Sequence, residues 1–304
     1  MSWFFIALAA PFLWSFVNIF DQYLVSKFST GEKSSGGLIL FTSLIGIVVA
    51  IIVGINKSGI FQIPVTNMLL LILTGVITIS WFILYLFALE IEDVSAVVPW
   101  FLTVPIFGFG LGYLFLGEML TQHQLIGSVI VLIGLVLTFI DFTGQKKKFK
   151  WKSAIYMLFS CFLIAICGVI FKYVTIENNF WVSSFWEYVG LGLCGIIIFI
   201  FVPKFRREFI VMNKKGGVKI FSLNILIEVF TIGGNLLTNF AILLAPVTMV
   251  YLVGSFQPAI VLFLTLIATK FFPGIAKENL SRNVLLPKII AIAIMIIGSI
   301  FLFQ

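Results

Sequence analysis

Apolar runs of about 17–25 residues follow one another from end to end of the chain, separated by short polar stretches, and each is long enough to cross a bilayer as a helix. The pattern predicts ten spans, at roughly 3–25, 36–54, 67–89, 94–116, 124–142, 153–174, 182–202, 218–243, 247–269 and 286–303. The polar breaks do not suit a barrel, which needs short alternating strands. The first run, Trp3 to Val25, is too long for the core of a cleavable signal and lacks a basic leader, so it reads as the first span. The connections are short, and none is large enough to fold as a soluble domain. The expected class is an all-α polytopic membrane protein.

The pattern also repeats. A shift of 153 positions lays Leu84, Phe87, Ala88, Val94, Val97 and Pro105 on Leu237, Phe240, Ala241, Val247, Val250 and Pro258 without a gap. Thr78 falls on Thr231 and Ser95 on Thr248. Two copies of a unit with an odd number of spans insert in opposite senses. Secondary transporters are built this way, with the solute site near the midplane between the copies. The expected organisation is one five-helix repeat over 1–144, a basic linker over 145–152 and a second repeat over 153–304.

Composition agrees: 61% of the 304 residues are hydrophobic and 10% are charged, against roughly half and a quarter in soluble domains. The positions of the basic residues set the orientation. Connections after odd-numbered spans, with the flanks of those spans, hold 17 of the 19 Lys and Arg residues, and the others hold Lys57 and Lys172. The positive-inside rule places the odd loops in the cytoplasm of a cell (inner) membrane protein, with both termini outside. These basic residues flank spans and suit lipid headgroups; nucleic acid is not an expected partner. Cys161, Cys167 and Cys194 lie inside apolar runs, and His123 is the sole histidine. No disulfide framework, metal site or cofactor follows from them.

Several residues now carry a resemblance. Ala88, the turn Glu92-Asp93-Val94-Ser95-Ala96, Pro105 and Gly117-Glu118 lead into Gln124-Leu125-Ile126-Gly127 and Gly134. This order resembles the EamA-type repeat of the drug/metabolite transporter superfamily. The second half keeps Ala241, Pro246-Val247-Thr248 and Pro258, then departs. Lys270-Phe271 occupies the Gly-Glu position, and an insertion carries Phe272-Pro273 and Glu278 before Ala291 and Gly298 resume the spacing. The resemblance implies ten helices in two inverted repeats and alternating access for a small organic solute, without saying which solute.

Ionisable groups inside a membrane are costly and are functional candidates by default. Glu228 is the most central. With Asn224, Thr231, Asn235 and Asn239 it forms a polar stripe along the eighth span. That stripe faces either a solute cavity or a helix partner. The functional reading makes Glu228 a proton acceptor or a partner for a cationic group. Lys172 and Glu187, both expected near the outer face, offer either a gating ion pair or two static anchors. Trp14, Asn18 and Asp21 share a face of the first span; Asn18 is deep enough to line a cavity, and Asp21 reads as interfacial. Thr74, Thr78, Trp81 and Tyr85 share a face of the third span, with Thr78 and Trp81 as solute contacts or as packing. Trp100 near Pro99 and Pro105, and Tyr251 and Gln257 near Pro258, lie where proline interrupts a helix; such breaks either border a site or are static kinks. Gly108, Gly110, Gly112 and the Gly190, Gly192, Gly195 group read as close-packing positions. Glu118 and Asp141 read as span-end residues, Glu118 as a cap for the turn into the fifth span.

Three functions compete on these grounds. The first is a secondary transporter, working in the export direction, for a small metabolite; no Gly-Lys-Ser/Thr nucleotide loop is present, and proton antiport through Glu228 is the coupling it suggests. The alternative is a flippase or carrier of an amphipathic lipid-linked substrate. An intramembrane enzyme would need paired carboxylates, a nucleophile with its base or a metal cluster at depth, and the sequence offers little of this. A monomer and a homodimer both fit ten spans.

Overall fold

A computed structural model of the chain describes residues 2–27, 35–139, 150–272 and 282–301. Most of the lysine-rich linker (145–149), Lys33, Asp141 and the inserted residues Pro273, Lys277 and Glu278 lie outside the described residues. The described elements are helices: α1 (Ser2–Lys27), α2 (Gly36–Asn56), α3 (Val65–Ile91), α4 (Val94–Val97), α5 (Val104–Leu116), α6 (Gln122–Phe139), α7 (Trp151–Thr175), α8 (Phe180–Phe201), α9 (Pro203–Leu244), α10 (Val247–Val253), α11 (Gln257–Phe271) and α12 (Arg282–Phe301). Among the described residues, eight helical stretches are long and apolar enough to cross a membrane. Two shorter apolar stretches, Gln122–Gly134 and Leu285–Gly298, stand where the fifth and tenth spans were expected.

The fourth and ninth expected spans are interrupted helices. A 3₁₀ segment, Val98–Thr103, separates α4 from α5, and another, Gly254–Phe256, separates α10 from α11. Pro99, Pro105 and Pro258 each lack the N–H that would donate to the carbonyl four residues back, so the helix tightens and bends around them.

The seventh and eighth spans are joined differently from expectation. The connecting residues are helical from Pro203, and α9 breaks at Gly217, whose φ of 57° and ψ of −161° suit glycine alone. Lys204, Arg207 and Lys214 before the break are exposed, while Met212 is buried and Phe209 meets Phe41 of α2 at 6.3 Å. This two-faced segment has the character of a helix lying in a membrane interface.

Close packing rests on glycines where α8 crosses its neighbours. A Cβ on Gly190 would stand 2.1 Å from the Ile72 carbonyl oxygen, and one on Gly75 would stand 2.1 Å from the Glu187 oxygen. Gly192 and Gly195 also pack closely on Ile47 and Ser43 of α2, where a Cβ would stand 2.7 and 2.8 Å from the nearest side-chain atoms. Gly110, by contrast, faces open space. The last helices of the two halves also meet, with Gly298 of α12 against the backbone at Gly127 and Val131 of α6.

One ion pair ties the halves together. Lys172 does not pair with Glu187; its Nζ lies 2.6 Å from Glu118 Oε1 and donates to the Ala245 carbonyl at 2.7 Å. Gly117 explains the reach of Glu118. Its left-handed conformation (φ 65°) ends α5 and turns the chain back, with Glu118 N–H on the Gly112 carbonyl. The second carboxylate oxygen of Glu118 accepts the Val247 N–H at 2.8 Å, so Glu118 caps α10. Glu118 is therefore not the cap of the fifth span. Thr121 and Gln124 fill that role with a reciprocal capping box.

Two outcomes are expected from this packing. Gly190→Ala should cost roughly 1–3 kcal/mol by overpacking and lower Tm in detergent, whereas Gly110→Ala should leave Tm unchanged. Lys172→Met strands a buried carboxylate and should cost about 3–5 kcal/mol, while the double change Glu118→Gln with Lys172→Met should restore much of the loss; thermal unfolding of the purified variants checks the order.

Candidate functional site

The described helices line a partly open cavity of about 130 Å³ to which both halves contribute. α1 supplies Trp14, Asn18 and Asp21, and α3 supplies Thr78, Trp81 and Tyr85. α8 adds Glu187; α9 adds Thr231, Asn235, Thr238 and Asn239. The interrupted helices place Phe101, Val104, Tyr251 and Gln257 on the same surface. An apolar cavity of about 150 Å³ is large enough for benzene, so this one suits a small metabolite. Its wall has aromatic faces on several sides and a few amide, hydroxyl and carboxylate groups, the usual composition of a solute pocket.

The polar groups are held by one another. Gln257 donates to the Asn18 carbonyl oxygen at 2.5 Å, and Asn18 donates to the Tyr85 hydroxyl at 2.8 Å. That relay links α11, α1 and α3. On the opposite side Asn239 donates to Glu187 at 2.9 Å, linking α9 to α8. Tyr251 donates to the Ile164 carbonyl at 3.0 Å. Its ring fits because Gly168 and Gly108 carry no side chain: a Cβ on Gly168 would stand 2.0 Å from the Tyr251 hydroxyl. Thr78 lies 3.6 Å from the Cys167 sulfur.

The polar stripe of α9 divides. Thr231, Asn235 and Asn239 reach the cavity, but Glu228 and Asn224 do not. Glu228 and Asn235 are seven positions apart, a rotation of about 700°, so their directions agree to within about 20° while about 10 Å of helix separates them. Glu228 and Asn224 therefore lie on the same face but further along the axis, beyond the cavity. Glu228 accepts a hydrogen bond from the Thr42 hydroxyl of α2, and Asn224 packs on Met212 at 4.0 Å. Trp100 is likewise absent from the lining and packs on the main apolar core. Lys172 sits in the bridge to Glu118, leaving Glu187 to its amide partner.

Several residues gain a place that sequence reasoning did not assign, among them Thr238, Asp21, Tyr85 and Trp14. Asp21, read as interfacial, is 1% exposed and lines the cavity. Its i+3 relation to Asn18 was the signal; the uncertain end of the first span concealed its depth. Tyr85 is central to the polar relay. Trp14 stacks over Gly234, where a Cβ would stand 2.5 Å from its indole nitrogen. Among the described residues no three His, Cys, Asp or Glu side chains stand together as a metal site.

Comparison with known proteins bears on what such a cavity serves. The EamA-like transporter family model matches residues 1–140. A probable amino-acid metabolite efflux pump of Salmonella typhimurium strain LT2 is 30% identical over 154 residues, covering 48% of this chain. The match spans about half the length of that relative, 51%. A protein of known crystal structure shares the fold, with a TM-score of 0.69 over 99% of this chain and 95% of its own at 15% identity. Residues 1–140 are thus similar to the EamA-like transporter family, in a chain whose described residues include eight helices long and apolar enough to cross a membrane.

Proposed function

We propose that the chain is a secondary transporter that exports a small amphipathic metabolite by alternating access. In this reading ten spans form two five-helix repeats, 1–144 and 153–304, inserted in opposite senses and joined by the linker 145–152. The basic odd-numbered loops lie in the cytoplasm and both termini outside. The single observation that carries the reading is the cavity lined from both halves, with carboxylates and amides set among aromatic rings. The interrupted helices support the repeat, because α4 and α10 begin at Val94 and Val247, the same 153 positions apart as Pro105 and Pro258.

The lining favours a solute with an ammonium group and an apolar body. Glu187 and Asp21 offer negative charge on two sides, and Trp14, Trp81 and Tyr251 offer rings against which an apolar or cationic group can pack. An amino acid or a close derivative has this form, consistent with the amino-acid metabolite named for the Salmonella relative.

The bridge from Glu118 to Lys172 and α10 is a natural element to break and remake as the halves move. It joins the end of α5 to α7 and to the start of an interrupted helix in the other half. Alternating access needs contacts of this kind on one side of the site to open while others close.

In proteoliposomes loaded with a panel of labelled amino acids, the wild-type chain is expected to release at least one of them faster than empty vesicles. Glu187→Gln and Asn239→Ala should reduce that release at least tenfold with the protein still folded. Trp100→Phe, away from the cavity, should change it less than twofold. Release that is equal in wild-type and empty vesicles for amino acids, with inhibition only by a short-chain lipid analogue, would contradict the proposed solute class.

A further inference from the structure

A second polar site lies behind the solute cavity. α1 and α9 run antiparallel, with Trp14 over Gly234 and the rings of Phe16 and Phe230 5.9 Å apart. Two turns further along α1, that register brings Asp21 to the level of Glu228. The two carboxylates are 1% and 4% exposed, and their charges act on each other. Asp21 borders the cavity, whereas Glu228 lies beyond it.

Their hydrogen bonding is incomplete. Glu228 Oε1 accepts from Thr42 of α2, but Oε2 has no partner. Asp21 shares the cavity wall with Tyr85 of α3, yet its Oδ2 has no hydrogen-bond partner. From α8, the Tyr188 hydroxyl is 4% exposed, within electrostatic reach of Glu228 and also unpartnered. Three buried oxygens, from three helices, are thus left over around one place. The charged group that α8 adds is Glu187, which is acidic too. α7 contributes no positive charge there, since Lys172 is committed to Glu118 and the Ala245 carbonyl and Lys152 is exposed at the start of the helix.

Buried charges without a counter-charge are strongly disfavoured, and a pair of carboxylates more so. A small cation resolves this. It supplies the missing positive charge and engages the leftover oxygens. We propose that Asp21 and Glu228 form a binding site for one small monovalent cation, a proton or sodium ion, reached from the solute cavity through Asp21. The binding stands on its own geometry; its use as the coupling ion rests on the transport reading. Asp21 lines the solute cavity beside Asn18 and Tyr85 of the relay, so solute that displaces it changes the cation site, and the reverse follows by linkage.

The test uses the purified full chain in detergent. Tm is measured while sodium chloride replaces choline chloride at constant ionic strength and pH. Proton uptake or release is measured in weakly buffered solution as an amino-acid ligand is added. The wild type should show either a saturable rise in Tm with sodium or a proton displacement approaching one per chain. The first outcome identifies sodium and the second a proton. Asp21→Asn and Glu228→Gln should each abolish the response. Thr42→Val, which leaves both carboxylates in place, should weaken it and covers the case in which an amide variant fails to fold. A wild type that responds to neither cation overturns the proposal, as does a response that persists in both folded amide variants. Ligand-dependent stabilisation in Glu228→Gln is recorded separately: its presence with the cation response gone supports both readings, and cation binding without any ligand effect removes only the transport reading.

Discussion

A polar group buried in an apolar helical bundle has no water to turn to, and this chain is organised by where its few polar groups find partners. Backbone groups satisfy themselves within helices. The side chains have to meet across helices, and three meetings define the interior. Glu118, Lys172 and the start of α10 join the two halves near one end of the cavity. Gln257, Asn18 and Tyr85 join three helices along one wall. Glu187 and Asn239 join two more across from it. Apolar packing holds the helices together, but dispersion between lipid-like surfaces is weakly selective. The polar contacts and the glycine crossings choose which faces meet.

The cavity follows from the same constraint. Interrupted helices at Pro99, Pro105 and Pro258 leave the wall irregular, and Gly168 and Gly108 make room for the Tyr251 ring. The space that remains is small and mixed in character. On the proposed reading, solute binding competes with the contacts that hold the wall together. Such competition is the means by which a ligand biases one arrangement of a bistable bundle over another.

Much of this was legible in the sequence, because hydrophobic run length reports directly on helices in a membrane. Long runs such as 36–54 and 67–89 became α2 and α3 within a few residues. Cavity residues on strong periodic faces, such as Asn235 and Asn239 or Thr78 and Trp81, were also legible, since a polar face in an apolar helix has to turn inward. What failed depended on three-dimensional register. The stripe of α9 was read as one wall, yet Glu228 lies about two turns along the axis beyond the cavity, where Thr42 of α2 meets it. Lys172 was matched with Glu187 from their shared depth, whereas the turn at Gly117 delivers Glu118 from a distant part of the chain. Asp21 was placed at the surface because a span end cannot be fixed from run length alone. The helical stretch before Gly217 was missed because its polar face obscured its periodicity.

The most direct test of the central claim is access to the cavity from both sides of the membrane. With Cys161, Cys167 and Cys194 replaced by alanine or serine, Thr231→Cys places a thiol on the cavity wall. Labelling by a membrane-impermeant maleimide is then followed in right-side-out and inside-out vesicles, with and without the transported amino acid. Alternating access predicts labelling from both sides, with solute protecting the thiol in each case. Labelling from one side only under every condition, or labelling that no solute affects, would contradict the account.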